Sequence, residues 1–359
     1  IEAALHAAVS KAKDAREIRA ATVAILLQAK KDGYATIAAA HNQSPFSARP
    51  VTRAYSWLTD QIVMAALNIA TTYLHPLPNP TEAERIAIIA VGGSGRGEMA
   101  PFSDVDLLFL NPYKITPWAE SLIESTLYIL WDLKLKVGHA SRTIKDCIRL
   151  AREDYTIRTS LVEYRFLSGD PALAQELGQR LWSDLFSSTA PEFVEAKLLE
   201  RAERHKKQGG QRYVVEPNIK EGKGGLRDLQ SMFWIAKYIH GVKNAKALVK
   251  LEVFTLEEFQ TFKTAEDFLW AVRCHLHRIA GRAVDQLTFD MQVEVAERMG
   301  YIDRDGRRAV EHFMQDYFRN ATHVGDLTRI FLTALEASHA KPEPMLMRFL
   351  SRRKRARAP

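Results

Sequence analysis

With 359 residues, 47% of them hydrophobic and 26% charged, the chain has the make-up of a globular protein of two or three domains. No apolar run approaches the ~18 residues of a membrane span. The formal net charge of +7 sits at one end, because residues 341–359 carry seven basic side chains against Glu343 and leave about +1 for the rest; a basic body able to track a nucleic-acid backbone is thereby excluded.

The two cysteines, Cys147 and Cys274, lie far apart and outside any CxxC pattern, which excludes a disulfide framework and a zinc site and leaves them as core fillers. The opening residues, IEAALHAAVSKAKD, lack a basic start followed by an apolar stretch, so a soluble, cytoplasmic protein with no membrane partner is expected. A start at Ile1 rather than Met and a basic tail suggest a fragment of something longer.

Helical spacing of apolar residues runs from Ala3 to about Leu74, and the proline-rich run from His75 to Pro80 ends it. Residues 86–91, IAIIAV, are a short isoleucine-rich run followed at once by glycines, which predicts a buried strand; Val105 to Leu110 predicts a second. Thr116 followed by Pro117 is an N-cap with proline at the first helical position, predicting a helix to about Lys134. Strands at 136–143 and 161–167 complete a small mixed sheet, and residues 171–339 read as helical apart from the polar stretch 209–225. The fold class is therefore α+β, with an N-terminal helical region (1–80), a small mixed-sheet domain (81–170), a C-terminal helical bundle (171–340) and a basic tail or linker (341–359).

Chemistry concentrates in VGGSGRGEMAPFSDVDLLFL, residues 91–110. Strand side chains alternate with a period of two, so Asp104 and Asp106 share one face while Val105 enters the core. Converging carboxylates repel, and a hard divalent cation converts that cost into binding; magnesium suits the pair as metal ligands, with manganese as the alternative. A bare DxD reads equally as a solvated turn aspartate beside a capping one. The glycine turn a dozen residues earlier changes this: Gly92 and Gly93 let backbone amides approach an anion, Ser94 adds a hydroxyl and Arg96 a forked cation. Competing motifs fail on spacing, since GGSGRGE is not GxGxxG, no long apolar helix follows it, and no GKS or GKT occurs.

A second polar block, EPNIKEGKGGLRDLQ at 216–230, sets Lys220, Lys223 and Arg227 around three glycines just before a helix starting near Leu226. Such a loop either closes over a triphosphate or docks the helical domain onto the sheet by salt bridges. Asp228 is placed to cap or orient, and Asn218 to contact a base or ribose. His275, His277 and the pair His323 and Asp326 lack HExxH spacing and read as packing or surface residues. Trp182, Trp234 and Trp270 fall on helical stretches and read as core, and YIDRDG at 301–306 lacks the closing glutamate of a calcium loop and reads as a turn.

The two blocks together resemble the DNA polymerase beta-like nucleotidyltransferase superfamily, and most closely the bacterial PII uridylyltransferase (GlnD) family, whose motifs are GGYGRGEL with PxSDxDLL and EPNxKEGxGGLRDLQ. Ser94 stands where that family has tyrosine. The resemblance implies metal-dependent transfer of UMP from UTP to a tyrosine of the PII protein, with release of pyrophosphate. It implies one ion on Asp104 and Asp106, a second bridging the phosphates, and a third carboxylate, for which Glu163 on the predicted strand 161–167 is the candidate. Gly92, Gly93, Ser94, Arg96, Lys220, Lys223 and Arg227 are the implied nucleotide-binding residues. It also implies uridylyl-removing HD and glutamine-sensing ACT domains beyond this chain. Two other readings stand beside it: a superfamily member acting on a small molecule or an RNA end, and a catalytically inactive nucleotide-binding regulatory module.

Overall fold

A computed structural model describes residues 2–210, 213–242 and 245–339; the basic tail read at 341–359 lies outside the described residues. Three helices come first, α1 (Glu2–Val9), α2 (Ala15–Gln43) and α3 (Ala48–Ile69), the last closing in a π turn over Ala70–Leu74. Asp14 starts α2 by accepting the Glu17 N–H at 2.8 Å. α3 packs against α2 on one side and against α5 (Pro117–Asp132) and α12 (Leu256–Ala280) on the other. The Thr116 cap of α5 forms as expected, accepting the Ala119 N–H at 3.2 Å.

The sheet has four strands, β1 (Ala87–Ala90), β2 (Val105–Asn111), β3 (Val137–Thr143) and β4 (Arg165–Gly169), in the order β3-β2-β1-β4. β2 and β3 are parallel and the other pairs antiparallel, so the sheet is mixed, with α5 as the crossover. Alternate residues feed two cores. Ile88, Leu107 and Phe109 face the N-terminal helices and α5, while Ala87, Ile89, Leu108 and Leu110 face α6 (Ile144–Glu153), α7 (Tyr155–Val162) and α8 (Pro171–Leu181).

The strand expected at 161–167 is corrected. Asp154 accepts the N–H groups of Thr156 and Ile157 and starts α7, whose Leu161 and Val162 are buried against the sheet; β4 begins only at Arg165. A short apolar run satisfies a helix face as well as a strand, and here the cap upstream decides.

After α8 and a π turn at Trp182–Phe186 come α9 (Ala190–Lys207), α10 (Leu226–His240), α11 (Ala247–Lys250), α12, α13 (Phe289–Arg298) and α14 (Ala309–His339). Apolar residues of α10, α12, α13 and α14 continue the core begun by the N-terminal helices, so one packed interior joins the N-terminal helices to the helical bundle. Both cysteines are buried and free, with burial pushing each thiol up to about 12. His275 and His277 are packing residues as expected, the first donating to the Pro45 carbonyl at 2.9 Å. Trp234 and Trp270 are buried, but Trp182 is 43% exposed on its π turn. Among the described residues, no helix is long and apolar enough to cross a membrane.

Candidate active site

β1 runs into α4 (Gly92–Gly95), a single helical turn. Val91 N–H donates to the Asp106 carbonyl at 3.0 Å, which brings the turn against the start of β2. Gly92 has φ +55°, and a Cβ there would stand 3.2 Å from Asp106 Oδ2, so its backbone and the open space beside the carboxylate both call for glycine. Gly92 and Gly93 open the helical turn and their N–H groups have no carbonyl within it to bond.

The Ser94 hydroxyl, expected among the nucleotide-binding groups, is engaged within the protein. It is buried and accepts the Asp106 N–H at 3.1 Å, so it ties the turn to the strand that carries the aspartates. Arg165, which the motif search missed, anchors the same turn: it donates to the Ser94 carbonyl at 2.8 Å and pairs with Asp60 of α3 at 2.9 and 3.1 Å. The loop after the turn is fixed by Met99 N–H on the Thr52 carbonyl, 3.2 Å, and by the Tyr34 hydroxyl on the Pro101 carbonyl, 2.8 Å. The N-terminal helices thus brace the motif from behind.

Asp104 is exposed at the end of that loop and Asp106 is half-buried on β2. Burial, followed by the charge of Asp104, raises the Asp106 carboxyl above its ordinary value, and Lys220 and Arg96 partly offset this. Two neighbouring carboxylates, with glycine beside the Asp106 oxygen, suit a hard cation, which needs only one or two protein carboxylates when substrate phosphates supply the rest. Among the described residues no group of three or more His, Cys, Asp or Glu side chains is placed to hold a metal. Glu163 therefore does not complete a triad in this arrangement. It caps the C-terminus of α7 rather than riding a strand, is 2% exposed, and pairs with Arg96 at 2.5 Å. That pairing also occupies Arg96, the expected phosphate cation.

The aspartates open on a cavity of about 550 Å³ whose far wall comes from the helical bundle. Lys220, Arg227 and Arg273 line it, with Lys197 of α9 and the hydroxyls of Thr156, Thr159 and Ser160 of α7. Burial, then Arg273 and Arg227, lower the Lys220 pKa. Arg227 pairs with Glu221 at 3.1 Å and lies over the Trp234 ring at 5.2 Å. Burial would raise Asp285, but His277 and Arg273, the latter at 2.7 Å, hold its carboxyl well below the usual range.

The loop of residues 216–230 reaches the cavity because it is locked from beneath. Asp228, fully buried at the start of α10, accepts from the Gly224 N–H at 2.8 Å, Arg204 at 2.7 Å, His205 at 2.9 Å and Arg201 at 3.2 Å. Asn218 turns the backbone by accepting the N–H groups of Lys220 and Glu221 at 3.1 and 2.7 Å, so its expected contact with a base or ribose gives way to shaping the loop. Lys223 lines a separate cavity with Asn218 and Gly222, whereas Lys220 and Arg227 line the cavity of the aspartates. The ion pairs of this loop run to Arg201, Arg204 and His205 of α9 and between Glu221 and Arg227, within the helical bundle rather than to the sheet.

Sequence reasoning missed Lys197, Arg273 and Asp285, which have no short motif. The hydroxyls of α7 had a readable signal: Thr156, Thr159 and Ser160 stand three and four apart, one helix face. Residues 192–332 match the family model described as GlnD PII-uridylyltransferase, and residues 1–128 match that of glutamate-ammonia ligase adenylyltransferase. Relatives named bifunctional uridylyltransferase/uridylyl-removing enzyme include those of Ruegeria pomeroyi, 64% identical over 97% of this chain, and Cereibacter sphaeroides, 61% identical over 95%. The matched regions are 38% and 37% of those relatives' lengths. With both motifs seated on one cavity and this degree of identity, the chain belongs to the GlnD family of uridylyltransferase/uridylyl-removing enzymes.

Proposed function

We propose that the cavity binds UTP with Mg2+ and transfers UMP to a tyrosine of the PII protein, releasing pyrophosphate. One observation carries this reading: Asp104 and Asp106 line a single cavity together with Lys220, Arg227 and Arg273, beside a glycine turn. A triphosphate needs both kinds of group, carboxylates for its metal and cations for its charge. The names of the relatives support uridylyl as the group moved.

Asp104 and Asp106 would hold the ion, and Mg2+, or Mn2+ in its place, would supply Lewis-acid polarisation of the phosphates when bound. The protein does the rest by placement. Gly92 and Gly93 present backbone N–H groups to the phosphates, and Lys220 with Arg273 offsets the charge that builds on the departing pyrophosphate. The phenolic oxygen forms a bond to the α-phosphorus, the bond from that phosphorus to the bridging oxygen breaks, and the phenol proton leaves to water.

The test is incubation of the chain with α-labelled UTP, Mg2+ and PII, with label expected on PII and pyrophosphate released. Label found only on RNA or on a small molecule would overturn the acceptor. The match of residues 1–128 to an adenylyltransferase model makes ATP the competing donor, and preference for labelled ATP over UTP would overturn the donor.

A further inference from the structure

Asp106 borders two spaces. Besides the phosphate cavity it lines a groove of about 310 Å³ between the sheet and α7, and the two meet at Asp106, Thr156 and Ser160. The parallel register sets Asp106 beside Gly138 and Leu108 beside Ala140, so these four share one face of the sheet. Ile157 and Leu161 of α7 form the opposite wall. A Cβ at Gly138 would come within 2.7 Å of Asp106 Oδ1, just as one at Gly92 would crowd Oδ2 at 3.2 Å. A glycine thus keeps each oxygen of this carboxylate clear, one beside the glycine turn and one beside the groove.

The groove differs from the cavity in chemistry. Leu108, Ala140, Ile157 and Leu161 make its walls apolar, and its hydroxyls, Thr156 and Ser160, stand where it joins the cavity. Its basic lining residues are Arg142 and His139, too few to follow the phosphates of a nucleic acid. A flat apolar ring with one polar end fits such a shape, with the ring between sheet and helix and the hydroxyl at the junction. β3 is one of the two edge strands, and its outer edge is available to the extended backbone of an incoming loop.

We propose that this groove is the acceptor subsite: a protein loop lays its tyrosine ring among Leu108, Ala140 and Ile157 and brings the phenolic oxygen to Asp106, opposite the donor phosphates. The assignment rests on the transfer reading above and adds where the acceptor enters.

Ala140→Phe fills the groove from the sheet and Ile157→Trp from the helix. Acceptor KM is measured with PII at saturating UTP and Mg2+, and UTP binding separately by equilibrium dialysis. Both filling variants are expected to raise acceptor KM by about tenfold or more, with UTP affinity within about twofold. Circular dichroism identifies a variant that fails to fold, in which case the other decides. Unchanged acceptor KM in a folded filling variant would overturn the subsite, as would UTP binding lost in parallel, which would give the groove to the donor. If the unaltered chain binds UTP but labels no tyrosine, the activity reading falls first and takes the subsite with it.

Discussion

Arg96 and Glu163 neutralise one another at the floor of the cavity, Nη1 to Oε2 at 2.5 Å, with the glutamate side chain 1% and the arginine 13% exposed. Each was expected to serve the substrate directly; here they are ion-paired, while Arg96 Nε and Glu163 Oε1 are buried with no hydrogen-bond partner among the described residues. Arg96 belongs to the glycine turn and Glu163 ends α7, so the pair ties the turn to the helix that walls the acceptor groove.

Breaking this pair exposes its structural weight. Glu163→Ala strands a buried guanidinium and is expected to lower stability by about 3–5 kcal/mol. Glu163→Gln, which still accepts a hydrogen bond, should cost about 1–3 kcal/mol. Urea unfolding measures both. Full stability with abolished transfer would instead make Glu163 a catalytic carboxylate.

The aspartate pair behaves in the opposite way. Asp104→Asn and Asp106→Asn remove a repulsion between neighbouring carboxylates and should raise the Tm of the metal-free chain while lowering transfer by about a thousandfold. Chelation should abolish transfer by the unaltered chain, and Mn2+ should restore it as Mg2+ does. Transfer unchanged in Asp104→Asn would end the metal assignment.

Lys220 and Lys223 separate cleanly, although they stand three residues apart. Lys220 faces Asp106 across the cavity and Lys223 lines another. Lys220→Ala should raise UTP KM about tenfold or more, and Lys223→Ala should leave it within about twofold. Equal effects would show that the loop rearranges when UTP binds.

Asp228 sets an acid limit to the fold. Burial pushes its carboxyl up, but His205, Arg204 and Arg201 prevail and hold it at about 2, below the unfolded value near 4. A depressed folded pKa stabilises above the unfolded value and is lost as pH falls through the folded one. Its contribution, on the order of 2–3 kcal/mol, should therefore be complete above about pH 5 and fade toward pH 2. Asp228→Asn should lower stability at pH 7 and flatten the pH dependence of unfolding over that window. An unaltered slope would mean other carboxylates govern acid unfolding.

The parts of the site that sequence alone determined are those whose chemistry is local. The strand that carries Asp106, the glycine turn before it and the Thr116 cap of α5 follow from their neighbours' identities. The helical layers, three of the four strands and the basic loop before α10 followed from the same short-range rules. What tertiary structure decided is which side chains meet. Whether residues 161–167 form strand or helix end depended on the Asp154 cap and the burial of Leu161 and Val162. That Ser94 turns inward to β2, that Arg96 meets Glu163 across 67 residues, and that Lys220 rather than Lys223 faces the aspartates depend on packing between distant segments. Spacing in one dimension carries no record of that packing: a cation has the same charge wherever it stands, and only the packed core fixes which carboxylate, phosphate or solvent it faces.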